Sequence, residues 1–195
     1  MTGDGKKMED MQAVINEMIE QRSLINNVSK TYLFFKRFID IVVSIVAVLL
    51  LLPLFLIMAL WIKVRKMGAV LHIEDKYGLR GKRFKAYELS RTIKSIYLIK
   101  LPLLFNVLKG NMSLVGPQPT PTENLSHDPW YNLRMSAKPG FTGMWQVSGK
   151  VGGFDEMVRM DLKYIRERSL LNDFKILLKA TYLAFKKKKP LKQAI

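Results

Sequence analysis

The residues best suited to chemistry in this sequence are cations in a tight turn. Tyr77 to Lys82 reads as a turn between two short strands within Val70 to Tyr87. Guanidinium and ammonium groups at such a turn can bind phosphate oxygens or lipid headgroups. The basic side chains of the turn and its flanks are Lys76, Arg80, Lys82, Arg83 and Lys85.

The composition excludes several other kinds of chemistry. There is no cysteine, which excludes disulfides, thiolate catalysis and cysteine-based zinc or iron–sulfur sites. The two histidines, His72 and His127, could form a metal site only with carboxylates distant in sequence, and we expect no metal site built on them. The formal charge of +16 favours polyanionic partners such as anionic lipid or phosphorylated substrates. No RNA-binding aromatic signature accompanies this charge, so we do not expect a nucleic-acid partner.

Two loops rich in proline and glycine are candidates for holding ligand groups. Gly116 to Pro121 contains three prolines, which fix the backbone in an extended form. Lys138 to Gly143 is a second loop, and Gln146 follows it closely. Rigid preformed loops of this kind often position the groups that contact a ligand.

A membrane segment stands before all of these residues. The chain is uncharged from Ile41 to Ile62, which is longer than the roughly 20 residues that a spanning helix needs. Pro53 near its middle should kink a helix. Basic residues occur on both flanks, Arg37 before and Lys63 after, whereas a spanning segment usually has them on one side. We therefore predict a re-entrant helix hairpin, with Arg37, Asp40 and Pro53 as its defining residues.

The remaining elements are helical or apolar. Residues 1–30 carry a weak helical stripe, which fits either an amphipathic helix or a solvated extension. Ile96 to Phe105 is apolar apart from one lysine and too short to span a membrane. Asp155 to Arg168 and Leu170 to Phe185 read as amphipathic helices. The second ends in Lys186 to Lys189, which fits a helix on an anionic membrane surface or a core helix with a solvated tail.

Several segments occur in a fixed order along about Phe35 to Phe185, and together they carry a family resemblance. The segments are Lys36-Arg37-Phe38-Ile39-Asp40 with Pro53, Gly78 to Phe84, Leu101-Pro102, Asn106 to Pro119, Pro139 to Lys150, Asp161 to Ile165, and Ser169 to Leu178. The series resembles the bacterial sugar transferases, the monotopic polyprenyl-phosphate phosphoglycosyltransferases of capsule, exopolysaccharide and glycoprotein glycan assembly.

The resemblance implies a covalent reaction supported by magnesium. In that family an aspartate attacks a nucleotide-diphosphate sugar, takes the phospho-sugar and releases the nucleoside monophosphate. The lipid phosphate then displaces the phospho-sugar. A glutamate directly after the aspartate and Mg²⁺ support this chemistry, so Mg²⁺ is the cofactor that the family implies.

This sequence departs from the family at the catalytic positions. Ile99 and Lys100 stand where the family has its Asp-Glu pair, and neither can attack phosphorus or bind Mg²⁺. Leu103 replaces a glutamine, and Gln118 replaces an arginine. The stretch that members carry before the pair is deleted between Tyr87 and Ile96.

The sequence therefore predicts no confident catalytic residue and no metal ligand. Glu88, Glu123 and Asp161 are the acids that could replace the nucleophile. The candidates for binding substrate or phosphate are Arg80, Lys82, Lys109, Gln118, Glu123 and Gln146. We expect a membrane-associated family member that is catalytically impaired; the alternative is an active phosphoglycosyltransferase. Whether the chain is an enzyme stays open at this stage.

The predicted architecture is mainly α with a small β-hairpin, and it has four parts. Residues 1–34 form an N-terminal extension, 35–66 the re-entrant hairpin, 67–189 a cytosolic domain with amphipathic membrane-surface helices, and 190–195 a tail. The predicted location is the cytoplasmic face of a bacterial plasma membrane. The predicted partners are membrane lipids, polyprenyl phosphate, a nucleotide sugar, and an active glycan-assembly enzyme.

Overall fold

The protein is mainly helical, with two small sheets. The computed structural model describes residues 28–66, 68–90, 96–121, 132–149 and 153–186. Its helices are α1 (Lys30–Val64), α2 (Ile96–Ile99), α3 (Leu103–Lys109), α4 (Met144–Ser148), α5 (Phe154–Glu167) and α6 (Leu170–Phe185). Its strands are β1 (Leu71–Tyr77), β2 (Arg83–Leu89), β3 (Ser113–Val115), β4 (Thr120–Pro121) and β5 (Gly140–Thr142). The predicted fold class is confirmed at this level.

Helix α1 contains the whole predicted membrane segment. It is apolar and long enough to cross a membrane. The expected division into two helices at Pro53 is not present, because α1 continues through that residue. A proline removes one backbone donor, whereas the remaining amides of an apolar segment still require intrahelical partners. The helix also begins at Lys30, before the predicted boundary at residue 35, and residues 1–27 of the predicted extension lie outside the described residues.

One stripe of α1 packs along the folded domain. Asp40, Ser44 and Ile62 are buried, and Val48 and Leu51 between them pack against the main core. These positions recur at intervals of three, four or their sums, so they share one helical face. The side chains on the other faces are apolar and exposed; they include Val46, Leu49, Leu50, Ile57 and Leu60. The helix thus presents one face to protein and the others to a lipid environment.

Polar contacts hold the beginning of α1 to the domain. The Arg37 guanidinium donates to the carbonyls of Val107 at 2.6 Å and Leu108 at 2.8 Å. These carbonyls belong to the last turn of α3, where helix carbonyls lack intrahelical partners and favour a cation. The buried carboxylate of Asp40 accepts the Leu114 N–H at 3.1 Å. The predicted pair Arg37 and Asp40 is therefore what joins the helix to the domain.

The larger sheet has the order β2-β1-β4, and the smaller one pairs β3 with β5. β1 and β2 are antiparallel, with Leu71 opposite Leu89 and Tyr77 opposite Arg83. Between them, Arg80 and Gly81 adopt positive φ angles of 57° and 71°, which close the turn. The strand–turn–strand predicted from the basic turn is confirmed.

Helix α3 is fixed to β2 by one buried side chain. The Asn106 amide accepts the Tyr87 N–H at 3.1 Å and donates to the Lys85 carbonyl at 2.6 Å. Gly110 ends α3 in the left-handed conformation, with a φ of 84°. The apolar run Ile96 to Phe105 is not one element, because α2 ends at Ile99 and α3 begins after Pro102.

The two amphipathic helices α5 and α6 are confirmed, each within one residue of its predicted bounds. The core between them contains Leu162, Tyr164, Ile165 and Ile176. α6 also exposes a second apolar stripe, formed by Leu171, Phe174, Leu178 and Tyr182. This stripe is available to a membrane surface, whereas the opposite side of α6 packs on the core.

Candidate functional site

The proline loop begins at Gly116, and hydrogen bonds hold its first residues against β5 of the small sheet. The Gly116 N–H donates to the Thr142 carbonyl at 3.0 Å, and the Gly140 N–H donates to the Pro117 carbonyl at 2.8 Å. A Cβ atom at either glycine would overlap the backbone of the other segment. The two loops singled out in the sequence therefore form one structure, and the close approach of their backbones requires glycine.

A buried ion pair holds the next residue of this loop. Asp161 of α5 forms an ion pair with Arg134 at 2.7 Å, and both side chains are almost fully buried. The same carboxylate accepts the Gln118 N–H at 3.1 Å, and Arg134 donates to the Gln118 carbonyl at 2.8 Å. Both the N–H and the carbonyl of Gln118 are thus hydrogen-bonded. The loop therefore has a fixed position that does not depend on what the Gln118 side chain contacts.

The electrostatics of Asp161 fit a structural role. Burial raises the pKa of Asp161 to about 6, while the Arg134 charge and the Gln118 N–H act to lower it. The Asp161 carboxylate has no exposed side-chain surface, and its partners are the buried Arg134 and the main chain of Gln118. These contacts favour a structural role for Asp161 over the role of replacement nucleophile, which the sequence allowed.

The predicted cationic candidates Arg80 and Lys82 lie beside this ion pair. Their turn packs against the short turn Arg134–Ser136, and Gly81 approaches Met135. Both candidate side chains are exposed. The structure thus brings the basic turn next to the loop at Gln118, which gives that surface positive charge beside a rigid backbone.

The other predicted binding residues have separate locations. Gln146 lies beneath Gly143, and its amide nitrogen and oxygen are buried with no hydrogen-bond partner in the described part of the chain. The Lys109 ammonium bonds the Tyr87 hydroxyl at 3.0 Å and lies over that ring, 4.5 Å from its centre. Glu123 lies outside the described residues. Substrate contact by any of these residues stays a prediction.

The positions of the family's carboxylate pair, residues 99 and 100, lie in a different part of the structure from the proline loop. Ile99 packs against the small cluster of Ile62 and Leu89, at the far end of α1. Lys100 is half-buried; burial lowers the pKa of this lysine, and the charge of Glu88 acts in the opposite direction. Glu88 also pairs with Lys76 at 3.2 Å. We call Glu88, Lys76 and Lys100 the Glu88 cluster.

The larger sheet connects the Glu88 cluster to the proline loop. Lys76 stands opposite Pro121 across the β1–β4 pairing, and β4 is the end of the proline loop. The described acid that faces residue 100 is Glu88, with a side chain that is 10% exposed. Of the two described acids among these candidates, Glu88 and Asp161, Glu88 is the one that lies near residues 99 and 100.

The sequence reasoning missed a polar cluster between the membrane helix and the core. The Asp173 carboxylate accepts hydrogen bonds from the Tyr32 hydroxyl at 2.9 Å, the Lys36 ammonium at 2.8 Å and the Tyr164 hydroxyl at 2.7 Å. Tyr164 also lies 3.0 Å from the Val115 carbonyl, immediately before Gly116. The sequence signal for this cluster was Asp173, an aspartate in the first turn of an otherwise apolar helix face.

Arg134 was also missed, because its partner Asp161 is 27 residues away along the chain. Nothing in the spacing of these two residues indicates an ion pair. The signal available in the sequence was indirect: a carboxylate between apolar helix positions needs a cation or several donors if it is buried. Only the fold identifies which cation meets that need.

Comparison with known proteins places this arrangement in a family. A family model described as bacterial sugar transferase matches residues 31–95 and 87–187. These two matches overlap at 87–95, the stretch where the sequence indicates a deletion. A Salmonella typhimurium undecaprenyl-phosphate galactose phosphotransferase is 31% identical over 224 residues, covering 91% of this chain and 46% of that protein.

Two further relatives are closer to this chain in length. A UDP-glucose:undecaprenyl-phosphate glucose-1-phosphate transferase of Caulobacter vibrioides is 33% identical, covering 74% of this chain and 67% of that protein. The exopolysaccharide production protein ExoY of Sinorhizobium fredii is 28% identical, covering 74% of this chain and 82% of its own length. The chain spans about half the length of the Salmonella relative, although its alignment with that protein is longer than the chain itself, so the relative carries residues that this chain lacks.

The ion pair of Asp161 predicts a large loss of stability when one partner is neutralised. Asp161→Asn leaves the buried Arg134 charge without its carboxylate, which should lower the free energy of unfolding by about 3–5 kcal/mol. Thermal unfolding followed by circular dichroism in detergent measures this. Glu167→Gln, at an exposed position of the same helix, should change stability by less than about 0.5 kcal/mol. Equal stability of the two variants would contradict a structural role for the pair.

Proposed function

The chain belongs to the bacterial sugar transferase family, and we propose that it transfers a sugar phosphate from a nucleotide-diphosphate sugar to polyprenyl phosphate in exopolysaccharide or capsule synthesis. The observation that carries this proposal is the family match, which extends from the membrane helix through α6. The matched part includes the proline loop, the basic turn and the Asp161–Arg134 pair. The names of the relatives supply the substrates, undecaprenyl phosphate and a UDP-sugar.

The proposed location is the cytoplasmic face of the plasma membrane, with both ends of α1 on that side of the bilayer. Asp40 contacts the domain near the beginning of α1, and Ile62 packs on Leu89 of the same domain near its end. These two residues are about 33 Å apart along a straight helix, which exceeds the roughly 30 Å of a bilayer core. A helix that spanned the bilayer could not keep both contacts with a domain on one side.

The absence of cysteine allows a direct test of this topology. Single cysteines at the exposed positions Ser29, Arg65 and Lys163 should all react with a membrane-impermeant maleimide in inside-out vesicles, and none in right-side-out vesicles. Lys163, on the surface of α5, is the reference for the cytoplasmic side. Reaction of the residue 29 and residue 65 cysteines from opposite faces would contradict re-entry.

Within this proposal, the Glu88 carboxylate takes the position of the family's nucleophile. It would attack the sugar-linked phosphorus and displace the nucleoside monophosphate. An oxygen of the lipid phosphate would then attack the same phosphorus and release the carboxylate. Lys76 and Lys100 flank Glu88 and would neutralise charge on the phosphoryl oxygens during both steps.

The residues of the Glu88 cluster do not fit a bound Mg²⁺ ion. Mg²⁺ prefers carboxylate and water oxygens in octahedral geometry, whereas Glu88 is already paired and two ammonium groups flank it. The described ranges contain no group of three acidic or histidine side chains suited to a metal. The family's requirement for Mg²⁺ therefore has no basis in the described residues, and we derive no step from it.

A second function, binding without transfer, is favoured by the state of residues 99 and 100. Ile99 packs in an apolar cluster, and Lys100 interacts electrostatically with Glu88. If Glu88 serves only as the partner of two lysines, the chain would bind a nucleotide sugar or lipid phosphate and dock on an active glycan-assembly enzyme. Saturable binding of a nucleotide sugar without release of nucleoside monophosphate distinguishes this function from transfer.

Transfer through Glu88 predicts that one neutral substitution abolishes turnover. The assay combines purified protein, polyprenyl phosphate and UDP-sugars, and follows release of the nucleoside monophosphate. Glu88→Gln should reduce the rate by at least about 100-fold, because an amide is not a competent nucleophile. Glu74→Gln, which removes the other carboxylate near Lys76, is the matched control and should keep the rate within about threefold.

Retained turnover in Glu88→Gln would exclude Glu88 as the nucleophile. Absence of turnover in the unaltered protein, with binding intact, would replace transfer by the second function. The double change Ile99→Asp with Lys100→Glu should not raise the rate, since Gln118 also stands where the family has an arginine and the stretch before Ile96 is shorter than in the family.

A further inference from the structure

A cavity of about 380 Å³ lies where the beginning of α1 meets the turn between α5 and α6. Ser29 and Tyr32 line it on the α1 side, and Arg166, Arg168 and Ser169 line it on the other. We propose that this cavity binds a phosphate group. This proposal does not depend on transferase activity, because the cavity is formed by none of the residues of the Glu88 cluster.

The charge of the cavity favours an anion. Arg166 is exposed and Arg168 is half-buried, so one guanidinium can meet an arriving ligand while the other lies deeper. Asp173 is not among the residues that line the cavity; it pairs with Lys36 at 2.8 Å, and its charge also acts on Arg168. Glu167 is exposed and is not among the residues that line the cavity. The described lining therefore carries two positive charges and no acid, beside the apolar residues Val28, Ile165 and Leu170.

Hydrogen-bond donors complete this surface. The hydroxyls of Ser29 and Ser169 can donate to phosphate oxygens, whereas the Tyr32 hydroxyl already donates to Asp173. Two long helices, α1 and α6, also begin at the cavity, so the positive ends of their dipoles lie on its wall. Ser169 caps α6 through the Asn172 N–H, whereas the Ser29 side chain makes no capping bond to α1 in the described part of the chain.

The location of the cavity gives the phosphate group two sources. The cavity lies at the start of the membrane helix, where lipid headgroups would be within reach, and it also opens to solvent through the exposed Arg166. The ligand is therefore a headgroup phosphate of an anionic lipid or a soluble phosphate. In either case Tyr32 connects the cavity through Asp173 and Tyr164 to Val115, beside the proline loop.

The test measures binding to the full chain with two probes. Calorimetric titration of inorganic phosphate into protein in phosphatidylcholine nanodiscs measures the soluble ligand. Flotation with phosphatidylcholine vesicles, with and without phosphatidylglycerol, measures the headgroup. Arg166→Glu should weaken the binding of the probe that binds the unaltered protein by at least about tenfold, since it replaces a direct cationic partner. Lys163→Glu makes the same charge change at an exposed position of α5 outside the cavity, and should weaken it less than about threefold.

Each outcome decides the proposal. Selective loss of phosphate binding in Arg166→Glu identifies a soluble phosphate ligand, and selective loss only with phosphatidylglycerol vesicles identifies a lipid headgroup. Equal effects of the two substitutions, or no saturable binding of either probe, would overturn the proposal. Arg166→Gln, which adds no negative charge, should also weaken binding; full binding by a folded Arg166→Gln protein would overturn it too.

Discussion

The attachment of one apolar helix to a small domain is the constraint on which the rest of this structure depends. Most of α1 can be stable in lipid, but the carboxylate of Asp40 cannot be left there without a partner. That carboxylate accepts the Leu114 N–H, and Arg37 one turn earlier binds the last carbonyls of α3. Because both contacts use backbone groups of the domain, they fix the depth and rotation of the helix together.

The same attachment determines the position of the proline loop. Leu114 and Val115 form the strand that leads into Gly116, and Val115 is also contacted by Tyr164 from the Asp173 cluster. The membrane helix, α5 and α6 therefore all act on the residues just before the loop. If the proposed substrates are a lipid phosphate and a soluble nucleotide sugar, this connection would keep the proline loop at a constant distance from the membrane helix.

Much of this arrangement could be predicted from the sequence because its signals are local. The apolar run of α1, the turn at Arg80 and Gly81, and the stop at Gly110 each follow from a few adjacent residues. The continuity of α1 through Pro53 could not, since it depends on the whole environment of the helix.

The candidate site was less predictable, because its pairs are distant along the chain. Asp161 was taken as a possible nucleophile from the sequence, and only its contact with Arg134 shows that it is structural. Conversely, Glu88 had no distinguishing pattern, and only the fold places it beside Lys100. A binding role for the candidates Gln146 and Lys109 remains a prediction, since their contacts do not indicate a ligand.

The measurement that tests the account most directly is the lipid product itself. Purified full chain in vesicles containing polyprenyl phosphate would be incubated with a panel of UDP-sugars, and the extracted lipids analysed by mass spectrometry. The account predicts a polyprenyl diphosphate carrying one sugar, formed with at least one donor. Unchanged polyprenyl phosphate with every donor, from protein shown to be folded and to bind the sugar nucleotide, would contradict transfer as the function of this chain.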